Sequence, residues 1–199
     1  MELRNITSDT QTHYRLEVNE QVVFFLLNRS GDITFELAGE RAEAHVFAFF
    51  LGTGETKSNL TLSQRHLAPR TTSRVLVKSV LKDQAEFSYR GTLFIAPHAI
   101  LSDAAQENRN LLLSKEAKAF SEPFLEILNN DVRCHHAATT SPLNKEALFY
   151  AKSRGLSENQ SERLLIDGFL RSSFETMGAL ISSEESEQIL KLVLHANVR

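Results

Sequence analysis

From Tyr14 to His136, short runs rich in Val, Phe, Leu and Ile are broken by Gly, Asn, Asp and Ser, a pattern of strands separated by tight connections. Ile33-Thr34-Phe35-Glu36-Leu37 alternates strictly, so three apolar side chains share one face and Thr34 and Glu36 the other. Comparable runs cover 44–51, 73–81, 86–95, 110–113, 124–128 and 132–136. No long amphipathic helix separates them, which predicts a sandwich, a barrel or a solenoid. Asn-Gly and Asp-Gly, the dipeptides favoured in two-residue hairpins, are absent from this region. A parallel β-helix is therefore the favoured architecture, with Asn108, Asn110 and Ser114 as candidates for an internal polar stack.

The period changes after about Ser141. Asn144 is placed to cap a helix running to Arg154, where Gly155 supplies a stop. Ser157 and Gln160 have the spacing of a capping box before Leu164, Leu165, Phe169 and Phe174, and Ser182 and Glu185 repeat it before a third helix. The expected organisation is a β-helix core over 1–140 and a small C-terminal α-helical domain over 141–199.

Composition narrows the class. The 199 residues are 42% hydrophobic, enough to bury a real core, and the net charge of −3 is interspersed rather than blocked. Neither nucleic acid nor an anionic membrane is an expected partner. The longest apolar runs, 22–27 and 46–52, fall far short of the roughly 20 residues that span a bilayer. Met1-Glu2-Leu3-Arg4 does not read as a signal peptide, so a cytoplasmic location is expected. The one cysteine, Cys134, excludes an internal disulfide and fits a reducing compartment.

The candidate chemistry lies in Val132-Arg133-Cys134-His135-His136. In a strand, Cys134 and His136 point the same way, about 6.6–7 Å apart at Cα, and His135 points oppositely. A thiolate and an imidazole on one face suit iron or zinc, yet two ligands do not define a site. Alternatively Val132 and Cys134 face the core and the histidines sit at a rim. The remaining histidines, His13, His45, His66, His98 and His195, belong to no ligand spacing and are expected at surfaces or caps. No nucleophile elbow, P-loop or dinucleotide fingerprint occurs, and Gly52-Thr53-Gly54-Glu55 reads as a turn. Asp103, Glu107, Glu122 and Glu126 would serve a metal-dependent or carbohydrate-active β-helix enzyme only if clustered on one face; as isolated acids they are expected at solvated corners.

Several segments together resemble the core of the SufB/SufD family. They are His66-Leu67-Ala68-Pro69-Arg70-Thr71-Thr72-Ser73-Arg74-Val75, Lys78 to Leu81, and Gln106-Glu107-Asn108-Arg109-Asn110-Leu111-Leu112-Leu113-Ser114. Glu126-Ile127, Asp131 to Thr139, and Glu146 to Leu156 follow in the same order and spacing, over more than half the chain. The resemblance implies a right-handed parallel β-helix with a helical C-terminal domain, acting as a non-catalytic scaffold. It also implies a cytosolic complex with an ABC-type ATPase, SufC, and nascent iron–sulfur clusters built at a SufB–SufD interface.

Carried over by position, the family's Cys-x-His falls on Cys134 and His136, which become the expected ligands of a transient, interface-shared iron–sulfur cluster. A cysteine of SufB-type subunits would fall near Asn108 and a glutamate near Ala137, and neither is present. The chain therefore looks SufD-like and shortened relative to typical members, with missing ligands expected from a SufB-like partner or a second copy. Pairing is expected through the solenoid's C-terminal edge. The tail from Lys145 to Leu170 resembles the ATPase-binding segment, with Leu148, Phe149, Leu165 and Phe169 as partner-binding candidates. Alternatively its aromatics cap the open end of the β-helix, or the chain is a structural paralogue that binds no cluster.

Overall fold

The computed structural model describes residues 1–196. Eleven strands precede three helices among these residues. The strands are β1 (Glu2–Asn5), β2 (His13–Leu16), β3 (Gln21–Leu27), β4 (Gly31–Leu37), β5 (Glu43–Gly52), β6 (Lys57–His66), β7 (Thr72–Leu81), β8 (Glu86–Ile95), β9 (Asp103–Leu112), β10 (Lys118–Ile127) and β11 (Arg133–Pro142). The helices are α1 (Lys145–Ser153), α2 (Glu158–Gly178) and α3 (Ser183–Ala196).

Successive strands alternate between two sheets. Odd-numbered strands form one of six in the order β1-β3-β5-β7-β9-β11, and even-numbered strands form one of five, β2-β4-β6-β8-β10. Every pairing is parallel, so the chain is a parallel β-helix. The first two coils are shorter than the later three: Glu2 pairs with Val22 and Gln21 with Glu43, then Glu43 with Thr72, Thr72 with Asp103 and Asp103 with Arg133.

The corners explain why hairpin dipeptides are missing. Asn19, Arg41, Arg70 and Leu101 take left-handed φ values of 59°, 60°, 56° and 58° at successive turns from the five-stranded into the six-stranded sheet. Their amides continue the inter-coil ladder, Asn19 to the Glu40 carbonyl, Arg41 to Pro69, Arg70 to Ile100 and Leu101 to Asp131. A backbone bend held by its neighbour above can use residues that would not make an isolated turn.

Alternation along each strand divides the apolar side chains into two sets. The inward set fills the lumen. Phe24 and Phe35 lie 4.7 Å apart between ring centroids, Tyr14 stacks on Phe35, and Phe50 stacks on Phe87 at 4.2 Å. The outward set on the six-stranded sheet, Val23, Phe25, Leu27, Phe47, Phe49, Val80 and Leu111, is covered by Ile166, Leu170, Phe174 and Met177 of α2 together with residues of α3. Phe174 stacks on Phe49 at 5.5 Å. The tail aromatics Phe169 and Phe174 thus pack on the side of the solenoid and do not cap its open end. The sheet has an apolar outer flank there, which would otherwise face water.

The caps form as expected. Asn144 accepts from the Ala147 amide, Ser157 and Gln160 make a reciprocal capping box, and Ser182 and Glu185 do the same at α3. β11 continues past His136 to Pro142, a residue free to occupy an edge strand because it needs no donor on the outer side.

Candidate functional site

The lumen changes character along its length, and the change leads to β11. Its first coils are lined by aromatic and aliphatic side chains. The later coils carry Gln64, His66, Ser73, Ser79, Gln106, Asn108 and Asn110, all buried. The Asn108 and Asn110 side chains bond one another at 2.8 Å, and Asn110 accepts from Ser79 and reaches Thr140 of β11. This is the expected polar stack except for Ser114, which lies at a corner and accepts the Asp83 amide.

Two histidines expected at the surface are interior. His66 is fully buried between Thr71 at Nδ1, 2.7 Å, and Ser73 at Nε2, 2.8 Å. Ser73 donates to Gln64, so its oxygen must accept from His66 Nε2–H. Nδ1 faces the Thr71 hydroxyl, which also bonds the Ala68 carbonyl and Ser102. Burial, aided by Arg74, lowers the pKa of the ring to about 4, which favours its neutral form. His45 is also buried, bonded through Nε2 to Glu43 at 2.7 Å. His13, His98 and His195 are exposed, as expected.

β11 closes the six-stranded sheet. Register aligns Cys134 with Ala104 and His136 with Gln106. Ala104 and Gln106 are buried and inward-pointing, so Cys134 and His136 occupy the inward rank of the last coil. His135 lies in the outward rank beside Ala105. Both members of the pair are nevertheless exposed, because β11 is the edge strand of its sheet and no further coil among the described residues covers them. Val132, just before β11, is half-buried against the cluster of Leu93, Ile95 and Ala104, so the chain entering the strand packs into the core while its cysteine does not. Partial desolvation raises the Cys134 pKa above the usual thiol value, and the Asp103 carboxylate adds to the effect.

No group of three or more His, Cys, Asp or Glu residues among those described is arranged to hold a metal. Cys134 and His136 are thus at most half a coordination shell. The four candidate acids lie within strands, not at corners, and are divided between sheets: Asp103 and Glu107 on β9, Glu122 and Glu126 on β10. Three are paired, Asp103 with Arg74, Glu107 with Arg109 and Glu122 with Arg90. They do not form the single acidic face that a polysaccharide-cleaving β-helix would need.

A family model described as the SUF system FeS cluster assembly, SufBD core domain, matches residues 16–169. The chain belongs to the SufB/SufD family. Among its relatives, the iron-sulfur cluster assembly protein SufD of Escherichia coli is 36% identical over 97 residues, 49% of this chain and 23% of that protein. SufD of Bacillus subtilis is 33% identical over 137 residues, 69% of this chain and 31% of the relative. A SufBD family protein of Synechocystis is 29% identical over 164 residues, 82% of this chain and 36% of the relative. The chain spans about a quarter to a third of the length of these SufB/SufD relatives.

The open end of the SufB/SufD fold carries more than the Cys-x-His pair. β10 and β11 terminate the two sheets as ten-residue edges. Leu125 and Ile127 on the inward rank of β10 and Leu128 just past it are exposed, and Phe120 and Phe124 are exposed on the outer face of β10. Of these, the apolar run 124–128 marked only a strand, since burial in a solenoid depends on whether another coil follows.

The partner-binding candidates separate into two groups. Phe149 is 75% exposed, while Leu148, Leu165 and Phe169 are half-buried. The Phe169 ring is turned inward, 4.7 Å from Lys78 Nζ. Tyr150 and Leu164, not singled out by sequence reasoning, are exposed with Phe149. No helix among the described residues is long and apolar enough to cross a membrane.

Proposed function

We propose that this chain is a SufD-like, non-catalytic scaffold unit of cytosolic iron–sulfur cluster assembly that pairs through its open β-helix end. The observation that carries this reading is the coincidence of two uncovered ten-residue strand edges, exposed Leu125, Ile127 and Leu128, and the exposed Cys134 and His136 at one end. Long apolar edges are templates for strand addition, so pairing satisfies free backbone groups and buries the apolar rim. A SufB-like subunit or a second copy on this end brings further ligands to a pair that cannot hold a cluster alone. The nascent cluster is then cargo held between subunits.

The helical tail supplies the second contact. Phe149, Tyr150 and Leu164 present exposed apolar anchors for a SufC-type ABC ATPase, with Leu148 and Leu165 half-buried behind them.

Anaerobic reconstitution with ferrous iron and sulfide tests the assignment, with wild type, Cys134→Ala and His136→Ala compared in the presence of SufB-like and SufC-type partners. Cluster absorbance that needs Cys134 and His136, together with co-elution of the subunits, is expected. Absence of absorbance in every combination would refute the ligand role, and retained complexes would then identify a structural paralogue.

A further inference from the structure

The contact between α2 and the six-stranded sheet has a cation at its centre. Lys78 lies in the outward rank of β7, in a row with Leu27 and Phe49 on one side and Arg109 on the other. Apolar side chains fill neighbouring outward positions, yet Lys78 is only 1% exposed. Its ammonium donates to the Phe169 carbonyl and to Ser172 Oγ at 2.7 Å, and sits 4.7 Å from the Phe169 ring centroid. All three contacts belong to α2. Among the described residues no carboxylate makes an ion pair with it, since neighbouring Glu107 is engaged by Arg109.

An ammonium without a counterion in an apolar contact is a poor way to stabilise docking. Carbonyl, hydroxyl and ring contacts recover part of the lost hydration, but a methionine of similar length would carry no such penalty. Burial brings the Lys78 pKa down to about 8, with Arg109 pushing the same way and Glu107 opposing. The next residue on the helix, Ser173, is buried with its hydroxyl unpartnered. A polar group left unsatisfied weakens the same layer further. Gly155, at φ 93°, separates α1 from α2 and provides a joint in the tail.

We propose that α2 is a releasable cover on the six-stranded sheet, with Lys78 as the latch that fixes where the helix sits while keeping the contact weak enough to open. The lysine directs docking through the Phe169 carbonyl and Ser172, so the helix has one preferred position. Its buried charge favours water, so the same residue lowers the cost of lifting. Lifting uncovers Val23, Phe25, Phe49 and Val80 without dismantling the lumen, because those side chains lie outside it.

Amide hydrogen exchange followed by mass spectrometry at pH 7 on the full chain tests this, comparing wild type, Lys78→Met, Lys78→Gln and Lys78→Arg. In Lys78→Met, exchange across 166–177 should slow about tenfold or more, while β3 and β5 remain within about twofold of wild type. Lys78→Arg, which keeps the charge, should not slow it. Unchanged or faster α2 exchange in Lys78→Met would overturn the proposal. So would equal slowing of α2 and the lumen strands, which indicates a general gain in stability. If Lys78→Met does not fold, Lys78→Gln provides the same comparison, with the same outcomes deciding.

Discussion

Acid should destabilise this fold through one interior ring, His66. In the native state its pKa is about 4, against an ordinary value of 6.5, chiefly because burial disfavours the cation, with Arg74 assisting and Asp103 opposing. The unfolded chain therefore binds more protons between those values. Stability rises with pH across the window and is lost as pH falls from about 6.5 through 4. The 2.5-unit gap corresponds to about 3 kcal/mol. The assay is urea unfolding by circular dichroism from pH 7.5 to 3.5 for wild type and His66→Gln. Ser73 retains Gln64, and Thr71 retains Ala68 and Ser102, so the variant should cost only about 1–3 kcal/mol at pH 7. The wild type should then lose about 3 kcal/mol more than the variant on acidification, since carboxylate titration is common to both. Parallel pH profiles would refute the assignment.

Three further outcomes follow from particular contacts. Gly91→Ala places a Cβ 1.3 Å from Gln106 Nε2, so overpacking should cost about 1–3 kcal/mol in thermal unfolding, and Gln106→Ala in the same chain should recover part of it. Phe174→Ala removes the ring stacked on Phe49 and should cost about 3–5 kcal/mol, seen as a lower urea midpoint. Asp103→Asn removes a carboxylate that helps to keep the Cys134 thiol protonated, and iodoacetamide alkylation of Cys134 at pH 7.5 should accelerate. An unchanged rate would show that Asp103 has no influence on the thiol.

Much of the fold was legible because its signals are local. Ile33, Phe35 and Leu37 all point into the lumen as their alternation requires, and Asn144, Ser157 and Ser182 begin the helices they were assigned. The strand β6 was not, because Lys57-Ser58-Asn59 opens it and Gln64-Arg65-His66 ends it with polar residues. Its inward Gln64 and His66 satisfy one another's neighbours across coils, an arrangement visible only once Ser73 and Thr71 are placed. The corners at Arg41, Arg70 and Leu101 were equally silent, since the amide of each is held by a residue about 30 positions later.

Cys134 and His136 were identified as a same-face pair by strand alternation alone, and the tertiary structure placed that face over the open lumen. Alternation is a property of the backbone and can be read from a single strand. Exposure is not, for an inward rank is buried when another coil stacks on it and open when none does. Lys78 illustrates the converse, a charged residue written among apolar neighbours whose burial was decided by a helix about 90 residues away. Sequence determined the faces, the caps and the helical period. Stacking and lateral docking, both long-range, decided which of those faces meet solvent and which carry chemistry.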